Sequence, residues 1–379
     1  MHATDTLAEA DRLMTVCNSC RYCEGLCAVF PAMEARRAFE DGDLNYIANL
    51  CHSCGACYYD CQFSPPHEFD VNVPKVLAKV RADSYAHYAW PAMASGLFQR
   101  NGLAITLIAA ASVAAFILGF VGWADPAALW TGNANPGAFY KLMPHNAMVL
   151  LFGLSFLYAI LAITMGVRRF WRDIGGADDP MASDQMGWGD IWQAMGDAGR
   201  LRYLDGGGAG CNNEDDRPVD KRRHAHHLTF YGFLLCFAST CVATLYHYLL
   251  GREAPYAWTD LPVVLGTLGG LGLVIGTAGL YSAKQTRDPM MVDQARLGMD
   301  TAFLVMLFLA GFTGLALLVL RDTGLMGMLL AVHLGVIFGL FITMPYGKFV
   351  HGIYRFTALV RYAAERKAHA LLENGNGQG

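Results

Sequence analysis

Charged residues are scarce in this sequence, and its first hundred residues contain no long apolar run. Asp, Glu, Lys and Arg make up 16% of the 379 residues, whereas 54% are hydrophobic. A soluble globular protein has roughly 25% charged residues, so the composition argues against an ordinary soluble enzyme. The formal net charge of −4 gives no indication of a nucleic-acid-binding protein.

Two further signals are missing. The amino-terminal segment lacks the basic start, apolar centre and small-residue cleavage site of a secretory signal. We found no glycine-rich dinucleotide fingerprint, so we do not expect this chain to bind a flavin itself. Because no run long enough to cross a bilayer occurs before residue 103, we expect residues 1–95 to form a cytoplasmic domain.

The rest of the sequence is typical of a membrane protein. A spanning helix needs about 20 mainly apolar residues. Six segments approach this requirement: 103–123, 146–166, 228–250, 261–282, 301–320 and 327–346. We therefore predict an all-α bundle of six transmembrane helices in a membrane domain of residues 96–360.

Lysine and arginine are concentrated in loops on one side of the predicted bundle. The cytoplasmic loop 167–227, the loop 283–300 and the segment after residue 346 hold most of them. The positive-inside rule then places both termini in the cytoplasm of a multi-pass protein of the bacterial inner membrane. Residues 361–379 are expected to be a cytoplasmic tail. Within the long loop, the glycines at 206–208 indicate a flexible surface turn, and residues 184–204 an amphipathic helix at the membrane interface or against the cysteine domain.

Eight of the eleven cysteines form two equal motifs. These are Cys17-x2-Cys20-x2-Cys23-x3-Cys27 and Cys51-x2-Cys54-x2-Cys57-x3-Cys61. This spacing is typical of two-cluster ferredoxins, in which the fourth cysteine of each motif binds the other cluster. We predict one [4Fe–4S] cluster on Cys17, Cys20, Cys23 and Cys61, and a second on Cys51, Cys54, Cys57 and Cys27.

Other uses of these cysteines fit less well. Disulfides are rare in the cytoplasm, and structural zinc sites usually take four ligands in two separated pairs. The ferredoxin pattern has proline directly after the fourth cysteine, whereas Ala28 and Gln62 stand there in this sequence. That departure weakens the likeness to plain ferredoxins but leaves the ligand pattern intact. The predicted fold is therefore a two-cluster ferredoxin-like domain followed by the six-helix bundle.

Histidines in the predicted spans are candidate axial ligands of haem b. Residues His227 and His247 lie 20 apart on the third span, and His333 and His351 lie 18 apart on a sixth helix running the opposite way. Eighteen residues are five helical turns, so the latter two share a face, although Pro345 can kink the helix between them.

Antiparallel spans bring these histidines to two levels, His227 with His351 at the cytoplasmic face and His247 with His333 at the outer face. One or two bis-histidine haems are therefore predicted. His226 is the alternative to His227, because on an ideal helix it lies closer than His227 to the face that carries His247. His145, at the outer start of the second span, is a candidate quinone contact or ligand.

Four segments resemble the tricarballylate-utilisation protein B family. They are Cys20–Gly25, Cys54–Cys61, Pro65–Phe69 and Pro345–His351, and the likeness covers nearly the whole chain. The membrane half is also similar to the gamma subunit of respiratory nitrate reductases. The resemblance implies an iron–sulfur and haem membrane protein that reoxidises the flavin of a partner, an FAD-containing tricarballylate dehydrogenase, and passes electrons to membrane quinone.

Two alternatives stay open at this point. One is an electron-transfer anchor subunit of another respiratory complex, related to heterodisulfide or nitrate reductase. The other is a non-redox metal-binding transporter or sensor, for which six spans suffice. A transporter is disfavoured because the spans show no evident midplane carboxylates or interrupted helices.

Overall fold

A computed structural model describes residues 2–98, 100–123, 126–130, 135–175 and 186–376, and it is almost entirely helical. The strands of the described residues form one short antiparallel pair, β1 (Cys211–Asn212) and β2 (Pro218–Val219). Five helices precede the bundle: α1 (Asp5–Cys20), α2 (Val29–Glu34), α3 (Asp41–Leu50), α4 (Ala56–Tyr59) and α5 (Val73–His87). They form the cysteine domain.

Local signals fix the ends of these short helices. The Thr4 side chain accepts a hydrogen bond from the Leu7 N–H at the start of α1, and Asn72 accepts one from the Lys75 N–H at the start of α5. Such caps satisfy N–H groups that have no partner within the helix. Helix α1 ends at Arg21 in the left-handed conformation, with φ of 55°, so the chain turns directly after the first two motif cysteines.

Among the described residues, six helices are long and apolar enough to cross a membrane, and we call them the first to sixth spans in chain order. They are Asn101–Trp123, His145–Asp173, Lys221–Leu250, Leu261–Gln285, Leu297–Leu320 and Met326–Thr343. Each predicted segment falls on one of them, and the prediction of a six-helix, all-α bundle is confirmed. The second and third spans run past the predicted limits, to Asp173 and back to Lys221.

Glycines allow the third and fourth spans to approach closely. A Cβ on Gly232 would lie 2.8 Å from the backbone nitrogen of Leu273, and one on Gly276 would lie 2.5 Å from that of Thr229. Small residues at a helix contact bring backbones together where lipid leaves little hydrophobic force to do so. The third span therefore packs mainly on the fourth, which determines the direction its histidines face.

The sixth span does not continue to His351 as predicted. It ends at Thr343, and a 3-10 turn at Met344–Tyr346 and extended backbone at Gly347 (φ −140°, ψ −168°) follow it. The C-terminal helix, Val350–Asn376, then begins anew. Pro345 contributes to this break because it cannot donate a helical hydrogen bond. His333 and His351 thus lie on different helices, and the prediction of a shared face is wrong.

The C-terminal helix is part of the core rather than a separate tail. Residues Ala358, Leu359 and Ala364 are buried, and the hydrophobic core of the cysteine domain includes Tyr354 and Phe170, the latter from the second span. Both ends of the chain therefore meet at one end of the bundle, which we call the cysteine end. The predicted start of a cytoplasmic tail at residue 361 lies inside the C-terminal helix, so it does not separate two units in the structure.

The helix Trp188–Gly199 follows the second predicted alternative and packs against the cysteine domain. Ala194 is buried in the core of the cysteine domain, and the helix packs along the C-terminal helix. Its other face leaves Trp188 79% and Trp192 67% exposed. The Tyr231 hydroxyl on the third span donates to the Gly199 carbonyl at 2.8 Å, which fixes this helix beside the cysteine end of the bundle.

A partly buried ion network joins the cysteine domain to the C-terminal helix. The Glu365 carboxylate accepts hydrogen bonds from Arg36 and Arg361, each at 2.7 Å, and from the Tyr46 hydroxyl at 2.9 Å. Burial alone would raise the pKa of Glu365, but the two guanidinium groups outweigh it, and the pKa lies below its ordinary value. The carboxylate therefore contributes stability above pH 4.5, and that contribution is lost as the pH falls through its folded pKa.

Glu365→Gln is expected to lower the free energy of unfolding by about 3 kcal/mol, because it leaves two arginines without their shared charge. Thermal unfolding in detergent at pH 7 measures this change. Glu9→Gln, at an exposed pair with Arg12, is the matched control and should cost less than about 1 kcal/mol. Equal effects of the two variants would contradict the role given to the network.

Candidate metal centres

Five thiols line a cavity of about 320 Å³ on the cysteine domain: four that the sequence predicts to share a cluster, and Cys57. Cys17 and Cys20 come from the last turn of α1, Cys23 follows in the turn after Arg21, and Cys61 follows α4. We call these four the distal thiol set. Cys20 is exposed, so this set reaches the protein surface.

The other four motif cysteines form a proximal thiol set, nearer the bundle: Cys27, Cys51, Cys54 and Cys57. Burial raises the pKa of Cys27, and the charges of Cys54 and Cys51 raise it further. Burial also raises the pKa of Cys17 to about 12, with contributions from Cys23, Cys61 and Cys20. Cys27 thus interacts with cysteines of the second motif, and Cys61 interacts with Cys17 of the first motif. These interactions agree with the prediction that the fourth cysteine of each motif joins the other set.

The donor chemistry of both sets suits a cluster better than a single ion. Within the described ranges, no three His, Cys, Asp or Glu side chains stand close enough to share one metal ion. A [4Fe–4S] cube spreads its ligands more widely, because each thiolate binds a different iron. Thiols whose pKa is raised by burial and by each other stay protonated until metal binding displaces the protons. The thiols of both sets therefore suit iron–sulfur ligation, and the arrangement as two cubes stays a prediction.

A close backbone contact covers the proximal set. Gly55 lies in the left-handed region with φ of 92°, and a Cβ there would lie 2.3 Å from the Asn212 carbonyl oxygen. Only glycine fits this position. Because Gly55 directly follows Cys54, the contact presses the second motif against residues 205–219, which we call the glycine loop.

The predicted surface turn at residues 206–208 is exposed at Gly207 and Gly208, while the chain on either side of it packs against the protein. Gly206, Cys211 and Asn213 are buried in the structure. The Cys211 thiol donates to the Leu204 carbonyl at 2.7 Å, and Asn213 donates to the Ala283 carbonyl, also at 2.7 Å. A Cβ on Gly206 would lie 3.2 Å from that of Ala56, so this glycine packs beside the second motif.

Four arginines bind the backbone of the segment Cys51–Ser53, and sequence reasoning missed them. They are Arg81 on α5, Arg222 at the start of the third span, Arg287 after the fourth span and Arg355 on the C-terminal helix. Guanidinium nitrogens of Arg81 and Arg355 donate to the Cys51 carbonyl at 2.5 and 2.9 Å. Those of Arg222 and Arg287 donate to the Ser53 carbonyl at 2.6 and 3.1 Å.

A usable signal for two of these arginines is present in the sequence. Arg222 precedes His226 by four residues, and His351 precedes Arg355 by four. Residues four apart share a helix face. Each helix thus presents one histidine and one arginine on the same side, toward the proximal set.

His226 and His351 face each other at the cysteine end. Their ring centroids are 6.2 Å apart. With metal–imidazole bonds of about 2.0 Å, two imidazoles on opposite sides of one iron have centroids about 6 Å apart. The structure therefore brings His351 to His226, the second choice from the sequence. His227 instead lies 5.9 Å from the Tyr231 ring.

The tautomer of His351 suits metal binding. Its Nδ1 lies 2.5 Å from the Lys348 carbonyl oxygen, an acceptor that places the proton on Nδ1 and leaves Nε2 free to ligate. Loss of hydration, together with the charges of Arg355 and Lys348, lowers the pKa of His351. The ring is therefore held neutral, which is the ligating form.

The opposite end of the bundle does not show the predicted pair. His247 stacks on His145 with centroids 3.5 Å apart, too close for an iron between the rings. Tyr140 and Tyr248 complete this aromatic group. His333 lies at the contact of the fifth and sixth spans, where its Nδ1 is 2.9 Å from the Thr313 hydroxyl. Among the described residues, no histidine ring contacts that of His333.

Comparisons with known proteins agree with this architecture. The Citrate utilization protein B family matches residues 96–371, and the Fer4-like domain of Citrate utilization protein B matches residues 10–87. Citrate utilization protein B of Escherichia coli is 48% identical over 368 residues, covering 96% of this chain and 94% of that protein. The chain belongs to the citrate utilization protein B family. No solved structure matches it.

Membership confirms the resemblance on which the sequence reasoning relied, and it also confirms the ferredoxin-like class of the cysteine domain. A Fer4-like domain indicates iron–sulfur clusters. Six long apolar helices make the chain a multi-pass membrane protein. The protein is therefore an iron–sulfur membrane protein of this family.

Cys54→Ser is expected to remove about four of about eight irons per chain, because Cys54 belongs to the proximal set alone. Iron and acid-labile sulfide analysis of anaerobically purified protein measures the loss. Cys241→Ser, at an exposed thiol in the third span, is the control and should keep full iron content. Full iron in both variants would contradict the assignment of Cys54.

Proposed function

We propose that this chain carries electrons from the reduced flavin of an FAD-containing dehydrogenase to quinone in the bacterial inner membrane. The cysteine end would face the cytoplasm, as the lysine and arginine distribution favours. The distal thiols, the proximal thiols and the pair His226–His351 would hold two [4Fe–4S] clusters and one haem b. Such groups exchange single electrons, which links a two-electron flavin to a two-electron quinone.

The observation that carries this proposal is the order of the three candidate sites. Cys20 of the distal set is exposed and Tyr22 beside it is 73% exposed, which suits electron entry from a protein partner. The proximal set lies behind it, with Cys51 and Cys54 buried. Arg355, which lies on the same helix as His351, donates to the Cys51 carbonyl. This hydrogen bond connects the proximal set to the helix that carries His351. Sites for one-electron carriers thus follow one another from the surface to the membrane.

The substrate of the partner is proposed from the family. The sequence resemblance implies tricarballylate dehydrogenase, and the curated relative is named for citrate utilization. Tricarballylate and citrate are both tricarboxylic acids, so we propose that the partner oxidises an acid of this class. The specific observation against a transporter is that His226 and His351 gather with four arginines at the cysteine end, beside the thiols.

We propose a single haem b, because His226 and His351 are the one described histidine pair with an iron-spanning distance. At the opposite end, the stacked rings of His145 and His247 with Tyr140 form an aromatic surface suited to a quinone ring. His333 keeps its predicted role as a possible ligand only if a second haem is present.

His226→Ala is expected to abolish the low-spin b-type absorbance of the purified protein, whereas His227→Ala should keep it. The two histidines are adjacent in sequence, but only His226 faces His351. Visible spectra and pyridine-haemochrome analysis of both variants measure this difference. Loss of the signal in His227→Ala alone would return the ligand role to the residue first chosen from the sequence.

The function itself is tested in proteoliposomes that contain the chain, the partner dehydrogenase, its acid substrate and a short-chain quinone. Substrate-dependent quinone reduction should occur with the wild-type chain and fall at least tenfold with His351→Ala. The iron–sulfur absorbance of that variant should still bleach, since its thiols are intact. Quinone reduction at the wild-type rate in His351→Ala would contradict the proposed route.

A further inference from the structure

The four arginines at Cys51–Ser53 are a concentration of positive charge with no carboxylate partner. Within the described part of the chain, none of Arg81, Arg222, Arg287 and Arg355 forms an ion pair with Asp or Glu. The carboxylate of Asp300, on the same side of the bundle, pairs instead with Lys348 at 2.8 Å and Lys284 at 3.8 Å.

Two of these arginines are not fully satisfied by the protein. The Nε atoms of Arg287 and Arg355 are shielded from solvent and have no hydrogen-bond partner among the described residues. Loss of hydration and repulsion from neighbouring arginines lower the pKa of Arg287 to about 9 and that of Arg355 to about 10. Uncompensated charge of this kind is costly unless an anion lies close by.

The proximal thiol set lies directly against these arginines. Arg81 and Arg355 donate to the carbonyl of Cys51 itself, and Arg222 and Arg287 donate to that of Ser53, the residue before Cys54. Once four thiolates bind a cube, the group carries net negative charge, and one-electron reduction adds another without making or breaking a bond.

Resting on the proposed function, we infer that Arg81, Arg222, Arg287 and Arg355 form a charge-compensating site for the proximal cluster and raise its reduction potential above that of the distal cluster. The arginines contact Cys51–Ser53 and not the distal thiols, so their effect differs between the two sets. An electron that enters at the exposed distal cluster then moves favourably toward the bundle.

An alternative role for these arginines is purely structural, because each donates to a carbonyl of the cysteine loop. Arg287→Gln and Arg287→Lys separate the two roles. Glutamine keeps an N–H donor for the Ser53 carbonyl but removes the charge, whereas lysine keeps the charge. A purely structural role would not lower the reduction potential in Arg287→Gln and leave it unchanged in Arg287→Lys.

The experiment is an anaerobic redox titration of the full-length chain in detergent with dithionite, followed by EPR of each cluster. In Arg287→Gln, the ratio of reduced to oxidised proximal cluster at fixed potential should fall about tenfold. This estimate takes one unit charge about 10 Å away at an effective dielectric of about 20; tenfold is about 59 mV for a one-electron couple. Arg287→Lys should leave the ratio unchanged, and the distal cluster should be unaffected in both variants.

Three results would overturn the inference: an unchanged ratio in Arg287→Gln, an equal fall in Arg287→Lys, or an equal fall at the distal cluster. If Arg287→Gln loses the proximal iron, retention of that iron in Arg287→Lys supports the charge requirement and its loss there overturns it. Absence of a second cluster in the wild-type chain is a different outcome, because it defeats the proposed function itself.

Discussion

The backbone of Cys51–Ser53 is a point at which four separate parts of the chain attach the cysteine domain to the membrane bundle. Arginines from α5, the third span, the loop after the fourth span and the C-terminal helix all donate to its carbonyls. A short cysteine loop lacks a secondary-structure partner of its own, so such donors satisfy its buried carbonyls. The same contacts bring the helices that carry His226 and His351 to the proximal thiols.

This attachment explains several features that are separate in the sequence. The break at Met344–Gly347 frees the C-terminal helix to turn away from the sixth span and pack on the cysteine domain. The glycine loop covers the other side of the second motif, where Gly55 permits the close contact with Asn212. The thiols are thus enclosed by membrane helices on one side and by a loop on the other.

Periodic and spacing signals in the sequence were sufficient for the fold class. Runs of about 20 apolar residues predicted all six spans, because hydrocarbon thickness sets that length. The paired cysteine motifs predicted the ferredoxin-like domain, because cluster geometry restricts ligand spacing. For the histidines, helical phase favoured His226 although His227 was the first choice, and the structure brings His226 to His351 because the third span rests on the fourth through Gly232 and Gly276.

The features that could not be predicted from the sequence are those that depend on tertiary contacts. Treating 327–351 as one helix put His333 and His351 on a shared face, and the break at Pro345 removes that relation. Composition suggested a surface turn at residues 206–208 but did not reveal that the neighbouring Asn212 packs closely against Gly55. The arginine cluster is drawn from four distant segments, so no local pattern reveals all of it.

We propose that two clusters and one haem lie in series at the cysteine end. Low-temperature EPR of the anaerobically purified, fully reduced chain tests it most directly. The account predicts two [4Fe–4S] signals broadened by mutual magnetic coupling, with a low-spin bis-imidazole haem signal in the oxidised sample. A single uncoupled cluster signal, or a high-spin haem without a second axial imidazole, would contradict it.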